Sequence, residues 1–178
     1  MGNLVVAEFL SLDGVMEDPR WAFPYWNAEI AQFKHTELLA SAALLLGRKT
    51  YESFAHAWPS RAGADDYADR MNRLPKYVVS TTLTQVAWHN TTLFKNDIVE
   101  AVHQVKQQTD GYLLVFGSGQ LAGYLLAQKL VDEHRLLVYP IVVGKGQRLF
   151  PEGSATKLTL VKSKPFRSGV VALIYQPR

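Results

Sequence analysis

The chain has 178 residues, of which 48% are hydrophobic and 20% are charged, with 19 Lys and Arg against 16 Asp and Glu. This composition is typical of one soluble globular domain, and a two-domain dehydrogenase or a TIM barrel would need roughly 250 residues. The sequence contains no cysteine, which excludes disulfide bonds, thiol nucleophiles, iron–sulfur clusters and thiolate zinc sites.

The basic residues are scattered along the chain, although the formal net charge is +3. No run of four or more cations occurs, so the sequence does not predict binding to DNA or RNA. The first apolar segment, residues 4–12, is interrupted by Glu8 and has no basic residue before it, so neither a signal peptide nor a membrane span is expected. The five histidines are dispersed, which predicts no metal site. The expected location is the cytoplasm.

Strands and helices alternate through most of the chain, as judged from the spacing of apolar residues and the turns between them. The predicted strands cover residues 4–9, 42–46, 76–80, 93–95 and 112–116, and the predicted helices begin at Asn27, Arg48, Asp97 and Gln120. Asn27 and Asp97 are predicted as helix caps. The charge-rich segment 64–74 is either a helix or a partly ordered insert.

Beyond Leu130 the pattern changes to strands without helices. These strands are predicted over residues 133–143, 157–162 and 170–176. Alternating strands and helices followed by a β-rich tail predict an α/β fold, with a mostly parallel central sheet and antiparallel strands at its C-terminal edge. No repeat, linker or low-complexity tract interrupts the sequence, so a single domain over residues 1–178 is predicted.

Two glycine turns join a buried strand to a helix, and each is a candidate anion site. The first is Gly47-Arg48-Lys49-Thr50, where the unpaired N–H groups of a helix start lie beside two cations. The second is Gly117-Ser118-Gly119-Gln120, which lacks the GxGxxG spacing of a dinucleotide fingerprint. In both cases the alternative is a glycine that merely permits a tight turn.

Hydroxyl side chains follow a third strand, at Ser80-Thr81-Thr82. Open α/β sheets bind ligands at the carboxyl ends of their strands, although an ordinary polar turn is the alternative here. Together the three strand ends supply hydrogen-bond donors without the Walker order GxxxxGK[ST]. A dinucleotide is therefore favoured over a nucleoside triphosphate.

The order of these segments resembles the dihydrofolate reductase-like family. The matching segments are GRKTYES from Gly47, KYVVSTT from Lys76 and FGSGQLAGYLL from Phe116. SLDG from Ser11 and PIVVGKG from Pro140 are more typical of the reductase domain of riboflavin-synthesis deaminase-reductases (the RibD C-terminal domain) and of stand-alone proteins similar to it. The resemblance covers nearly the whole chain and implies a three-layer αβα dihydrofolate reductase-like fold.

The resemblance also implies NADPH as the cofactor. The cofactor-binding residues that it implies are Gly47, Arg48, Lys49, Thr50, Ser80, Thr81, Gly117, Ser118, Gly119, Gln120 and Leu121. The first glycine turn is expected at the cofactor phosphates, the two hydroxyls near the adenosine ribose and its 2′-phosphate, and the second turn at the pyrophosphate. Arg48 and Lys49 could pair with the charges of a 2′-phosphate, which favours NADPH over NADH.

Two carboxylates are candidates for the catalytic side of the site, where a reductase binds or polarises the group that receives the hydride. Glu29 precedes Phe33 by four residues, similar to the dihydrofolate reductase helix whose acidic residue binds the pteridine. Asp13 lies in the SLDG loop. The alternatives are a helix-dipole contact for Glu29 and a turn role for Asp13.

The first loop departs from the riboflavin-pathway pattern, because Val15-Met16-Glu17 stands where those reductases have a lysine after the DG pair. Recognition of a phosphoribosyl substrate is therefore less strongly indicated. The loop also carries four aromatic residues, Trp21, Phe23, Tyr25 and Trp26. These either line a pocket for a flat ring or form a hydrophobic plug or dimer contact.

The expected function is NADPH-dependent reduction of a C=N or C=O bond in a planar heterocycle of the pterin or aminopyrimidine class. This activity would be similar to that of 5-amino-6-(5-phosphoribosylamino)uracil reductase. The alternative is a non-catalytic protein that keeps the fold and binds a nucleotide. Proteins of the riboflavin branch are commonly dimers, so the resemblance also implies a homodimer.

Overall fold

The computed structural model describes all residues from 1 to 178 and contains eight strands and five α-helices. The strands are β1 (Asn3–Leu10), β2 (Ser41–Gly47), β3 (Lys76–Val79), β4 (Thr91–Phe94), β5 (Tyr112–Phe116), β6 (Glu133–Val138), β7 (Leu158–Pro165) and β8 (Val171–Pro177). The helices are α1 (Ala28–Ala40), α2 (Arg48–Ala57), α3 (Asp66–Arg73), α4 (Ile98–Gln108) and α5 (Gly119–Ala127). Two short 3₁₀ helices cover Pro19–Tyr25 and Pro59–Arg61.

All eight strands form one sheet in the order β4-β3-β2-β5-β1-β6-β8-β7. Strands β1 to β6 are mutually parallel, whereas β8 pairs antiparallel with β6 and β7 antiparallel with β8. The predicted mixed sheet, with its antiparallel C-terminal edge, is confirmed. Because the first six strands run in one direction, their carboxyl ends lie along the same edge of the sheet.

Helices cover both faces of the sheet, as the strand sequences require. In β5, Leu113 and Val115 pack on one side with α4 and α5, whereas Leu114 and Phe116 pack on the other with α1, α2 and α3. Successive side chains of a strand point to opposite faces, so a strand buried on both sides reads as a continuous apolar run. This explains the uninterrupted apolar runs of β2 and β5.

Helix starts are only partly as predicted. Asn27 caps α1, since its side chain accepts a hydrogen bond from the Ile30 N–H at 3.0 Å. Asp97 precedes α4, but its backbone is left-handed (φ 49°) and its side chain makes no capping bond. The segment 64–74 is a helix rather than a partly ordered insert, because Asp65 caps α3 by accepting from the Ala68 N–H at 2.7 Å.

The strand predicted over residues 133–143 ends early, at Val138. The Tyr139 N–H donates to the Leu10 carbonyl at 2.8 Å, next to the last pair of β1 and β6, and Pro140 then lacks the N–H that a continuing strand would need. The chain then forms an irregular segment that packs beside the first loop. No helix of the structure has the length and apolar character that crossing a membrane requires.

Candidate active site

A cleft of about 1570 Å³ opens at the edge of the sheet where the parallel strands end. Its walls come from the end of β1, the first loop, α1, α2, the segment before α3 and the turn after β5. Cofactor and substrate clefts of α/β sheets occur at this kind of edge, because loops and helix N-termini converge there.

The two glycine turns predicted from the sequence meet at this cleft and interlock. A Cβ atom on Gly47 would overlap the side chain of Ser118, and a Cβ on Gly117 would lie 2.8 Å from the Thr50 Oγ1. Gly117 also has a positive φ of 61°, which glycine adopts without strain. Glycine is therefore required at both positions for the starts of α2 and α5 to approach each other.

A third close approach completes the second turn. A Cβ on Gly119 would lie 2.5 Å from the Nε2 of Gln147, so the amide side chain of Gln147 packs directly on this glycine. Gln147 itself lines the cleft and belongs to the irregular segment after β6. The turn after β5, residues 117–119, thus forms a shallow backbone cradle (the glycine cradle) between α2 and the irregular residues 139–150 that follow β6 (the 140s segment).

Five of the predicted cofactor-binding residues line the cleft. They are Lys49, Thr50, Gly117, Ser118 and Gly119. Gly47 lies directly behind Ser118. Arg48 is exposed at the rim of α2 and forms an ion pair with Glu52 at 3.1 Å.

The remaining predicted cofactor residues do not line the cleft. Gln120 is exposed on α5, and Leu121 is buried in the core beneath the turn. The Ser80 hydroxyl accepts hydrogen bonds from the N–H groups of Thr82 and Leu83 at 3.2 and 3.0 Å, which orders the turn after β3. Thr81 is exposed in the same turn.

Asp13 does not line the cleft, because both of its oxygens are used between two loops. Oδ1 accepts from the Ser11 hydroxyl at 2.6 Å and from the Val143 N–H at 3.0 Å, and Oδ2 accepts from the Gly144 N–H at 2.9 Å. These donors, led by the Ser11 hydroxyl, lower the pKa of Asp13 to about 2. Its contacts are those of a carboxylate that joins the first loop to the 140s segment.

Glu29 also lies away from the cleft, in the first turn of α1. Its Oε2 accepts a hydrogen bond from the Arg167 N–H at 3.0 Å. Arg167 belongs to the turn that joins β7 to β8. The structure therefore does not bring Asp13 and Glu29 together at one site.

The aromatic residues of the first loop divide between the two roles considered for them. Trp21 and Tyr25 pack edge-on against the buried Tyr139, with ring centroids 5.6 and 5.8 Å away, and form a hydrophobic plug. Phe23 and Trp26 are exposed and line the cleft. Two flat apolar surfaces are therefore available to a ligand.

Sequence reasoning missed two buried ionisable side chains at the inner wall of the cleft. Glu8 of β1 and Lys34 of α1 both line it and are both buried. Lys34 forms an ion pair with the buried Glu37 and lies over the ring of Phe116 at 4.7 Å from its centroid. The one available signal was the presence of an acidic residue inside an otherwise apolar strand.

Burial raises the pKa of Glu8 to about 8, against the lowering effects of Lys34 and of the Gly117 backbone N–H. A carboxyl group with such a pKa is mostly uncharged at neutral pH. It can therefore donate a hydrogen bond, which an ionised carboxylate cannot do. Perturbed groups of this kind concentrate at functional sites.

Comparison with protein families places the chain in a known group. The model of the RibD C-terminal domain matches residues 3–172. The uncharacterized protein YyaP of Bacillus subtilis (strain 168) is 30% identical over 137 residues, which are 74% of this chain and 72% of YyaP.

Solved structures share the fold at lower identity. A Shewanella sp. PV-4 protein with a proposed place in riboflavin biosynthesis is 24% identical, with a TM-score of 0.79 and coverage of 100% of this chain and 99% of that one. A pyrimidine reductase-like protein of Corynebacterium diphtheriae is 12% identical, with a TM-score of 0.69 and coverage of 99% and 92%.

The bifunctional enzyme of Thermotoga maritima also matches. It is a diaminohydroxyphosphoribosylaminopyrimidine deaminase/5-amino-6-(5-phosphoribosylamino)uracil reductase, 13% identical with a TM-score of 0.72. The match covers 99% of this chain but only 57% of that enzyme. The chain belongs to the RibD C-terminal domain family, and its three-layer αβα structure is the dihydrofolate reductase-like fold of that reductase domain.

Proposed function

We propose that this protein is an NADPH-dependent reductase of a planar heterocycle of the pterin or aminopyrimidine class. The bond reduced is C=N or C=O, as in a 5-amino-6-(5-phosphoribosylamino)uracil reductase. The observation that carries the proposal is the interlocked pair of glycine turns at the cleft, in a family whose reductase domains use a nicotinamide cofactor.

The backbone cradle after β5 fits the phosphates of a dinucleotide. Thr50 and Gln147 pack against Gly117 and Gly119 and hold the turn in place. The turn lines the cleft together with the N-terminus of α5, which begins at Gly119. Unpaired N–H groups at a helix start, together with the helix dipole, favour an anion. Lys49 lies on the α2 wall of the same cleft.

A preference for NADPH over NADH rests on the two cations at the start of α2. Arg48 is at the exposed rim, and Lys49 lines the cleft. Arg48 can leave its surface ion pair with Glu52 and bind a phosphate, because a surface ion pair contributes only about 1 kcal/mol or less to stability. A guanidinium binds a phosphate through two parallel hydrogen bonds.

The remaining part of the cleft suits a flat, partly polar ring. Phe23, Trp26 and Trp58 supply aromatic surface, and Gln32 and Asp66 supply polar groups at the rim. When bound, NADPH would supply the hydride. The chain's own residues would then hold the acceptor against the cofactor and keep water away from it.

Titration with NADPH and NADH, followed through tryptophan fluorescence, tests the proposal. Trp26 and Trp58 line the cleft, so a bound cofactor is expected to change the emission saturably. In Arg48→Ala and Lys49→Ala, NADPH is expected to bind roughly tenfold or more weakly, because a hydrogen bond to a charged group is worth about 1.5–3 kcal/mol. NADH affinity should change little.

Lys157→Ala is the matched control, since Lys157 is exposed and does not line the cleft. It should bind both cofactors as the unmodified protein does. No saturable signal with either cofactor would refute the proposed function. An equal loss of NADPH and NADH affinity would instead show that the two cations do not read a 2′-phosphate.

A further inference from the structure

We propose that Glu8 is the proton donor of the reduction, acting on the nitrogen or oxygen atom of the acceptor's C=N or C=O bond. The inference rests on the proposed function and assigns a catalytic residue to the same cleft. It replaces the two carboxylates expected from the sequence, Asp13 and Glu29, whose contacts lie elsewhere.

Glu8 stands where the two central strands part. In the β1–β5 ladder the last pair is Ala7 with Phe116, after which β5 turns away at Gly117. On its other side Glu8 pairs with Leu136 of β6. The carboxyl therefore borders the gap between the end of β1 and the glycine cradle, and it lines the cleft at that point.

The Glu8 carboxyl is buried and incompletely bonded. The residue is only 6% exposed, and its Oε1 is a buried atom without a hydrogen-bond partner. A buried polar atom without a partner has lost the hydrogen bonds that it makes to water in the unfolded chain, so such atoms are uncommon in folded proteins. A hydrogen-bonding atom of a bound ring would satisfy it.

The other carboxylates of the cleft are committed to the fold or exposed. Glu17 accepts the Gln147 N–H at 3.0 Å, Asp65 caps α3, and Asp18 pairs with Arg20. Asp66 is exposed. Glu8 is thus the buried carboxyl of the cleft, and burial favours the protonated form of an acid.

The step balances with the dihydronicotinamide as the reductant. As hydride bonds to the acceptor carbon, the π electron pair of the C=N or C=O bond moves to the nitrogen or oxygen. The O–H bond of Glu8 breaks, and its proton bonds to that atom. The acceptor gains two electrons, the dihydronicotinamide is oxidised, and the Glu8 carboxylate takes a proton from solvent before the next turnover.

Two charged groups act on Glu8, Lys34 and Glu37 of α1. Other titratable residues on the neighbouring elements are Glu17, His35 and Lys49, which line the same cleft, and His134 of β6. Lys34 is held by Glu37, so its charge is already paired. Burial lowers the pKa of His134, so this side chain is already neutral before the pH becomes alkaline and does not titrate there.

The first test is the pH dependence of reduction by NADPH, with 5-amino-6-(5-phosphoribosylamino)uracil and a dihydropterin as acceptors. The unmodified protein should lose kcat/KM above about pH 8, as Glu8 ionises. Glu8→Gln should lose roughly 100-fold or more in kcat and should lack this alkaline limb, while keeping its NADPH affinity. Glu8→Asp should recover part of the rate, and the exposed Glu152→Gln should match the unmodified protein.

The outcomes separate the two claims. If the unmodified protein reduces neither acceptor and binds no NADPH, the proposed function fails and Glu8 loses its role with it. If the unmodified protein is active and Glu8→Gln keeps both its rate and the alkaline limb, this inference alone is overturned.

The second test needs no acceptor and measures the proton on Glu8 through the thermal midpoint. In the folded chain Glu8 keeps this proton up to about pH 8, whereas in the unfolded chain its carboxyl is exposed to water and ionises near the usual pKa of 4.5. Stability of the unmodified protein is therefore lost between these pH values. The midpoint of Glu8→Gln, which has no proton to lose, should rise relative to the unmodified protein over that range.

The comparison also cancels the contribution of Lys76, whose pKa burial lowers to about 8, because both proteins contain it. Parallel midpoint curves for the two proteins from pH 5 to pH 8 would show that Glu8 carries no proton at neutral pH. That result would overturn the proposal even if the enzyme were active.

Discussion

At the scale of single residues, the carboxylates of this protein differ most in their surroundings. Asp13 accepts three hydrogen bonds and has a pKa of about 2, whereas Glu8 is buried and has a pKa of about 8. At neutral pH the same functional group is thus ionised in Asp13, where it braces the first loop against the 140s segment, and mostly uncharged in Glu8. Burial and hydrogen-bond donors determine which of the two it becomes.

The brace at Asp13 predicts a pH-dependent loss of stability. Asp13→Asn should lower the thermal midpoint at neutral pH, because the amide has one acceptor oxygen where the carboxylate has two, so the N–H group of either Val143 or Gly144 loses its acceptor. A depressed pKa stabilises the fold above the ordinary pKa of about 4 and ceases to do so as the pH falls towards 2. The difference between the variant and the unmodified protein should therefore shrink in acid.

Scanning calorimetry from pH 7 to pH 2 measures this difference. Asp110→Asn, which alters an exposed carboxylate that forms no side-chain hydrogen bond, should show no such difference. A midpoint for Asp13→Asn equal to that of the unmodified protein at pH 7 would mean that the brace does not contribute to stability.

The sequence indicates where acids lie but not which of them face the site. SLDG places Asp13 next to a loop that does border the cleft, yet its oxygens turn towards the 140s segment. That contact spans 130 positions of the chain, so no local pattern predicts it. Glu8 is visible in the sequence only as a polar interruption of a buried strand.

At the scale of elements, the site depends on two helix starts that approach each other without side chains between them. Gly47 has an ordinary extended backbone, so replacing it strains no dihedral angle. The added Cβ would nevertheless overlap Ser118. Gly47→Ala should therefore cost about 1–3 kcal/mol, the range for overpacking, and should weaken NADPH binding by separating the two turns.

A double variant tests whether this overlap is the cause. Ser118 has a φ of 60°, which glycine accepts, so Ser118→Gly should be tolerated and should restore stability to Gly47→Ala. Gly123→Ala is the control, because a Cβ there meets nothing within 4 Å and the helix of α5 should gain up to about 1 kcal/mol. Chemical denaturation gives the free energy of unfolding of the three single variants and of the double variant. If Gly47→Ala and the double variant lose the same stability, the overlap with Ser118 is not the cause of the loss.

Elements buried on both faces are the ones that the sequence predicts well. The strands β2 and β5 match their predicted ranges to within a residue, because apolar runs that end in glycine have few alternatives. The ends of β6 and the form of α3 were less predictable. The end of β6 depends on a tertiary contact, the hydrogen bond to the Leu10 carbonyl. The form of α3 depends on a single side-chain hydrogen bond, the one made by the Asp65 cap.

At the scale of the whole molecule, the β-rich tail reaches the site through Gln147. The 140s segment follows β6, binds Asp13 through Val143 and Gly144, forms a β-bridge from Arg148 to Val15, and places Gln147 on Gly119. The cleft is therefore assembled from residues near both ends of the chain. The order of motifs predicts this fold correctly, but the meeting of the 140s segment with the cradle follows only from three-dimensional packing.

We expect a nicotinamide cofactor to lie over the glycine cradle, with its ring at the gap between the end of β1 and the cradle. The structure of the complex with NADPH decides this. It should show the phosphates at the turns that begin with Gly47 and Gly117, and the nicotinamide ring beside Glu8. A cofactor bound away from these turns, or a nicotinamide ring outside the gap that Glu8 borders, would contradict it.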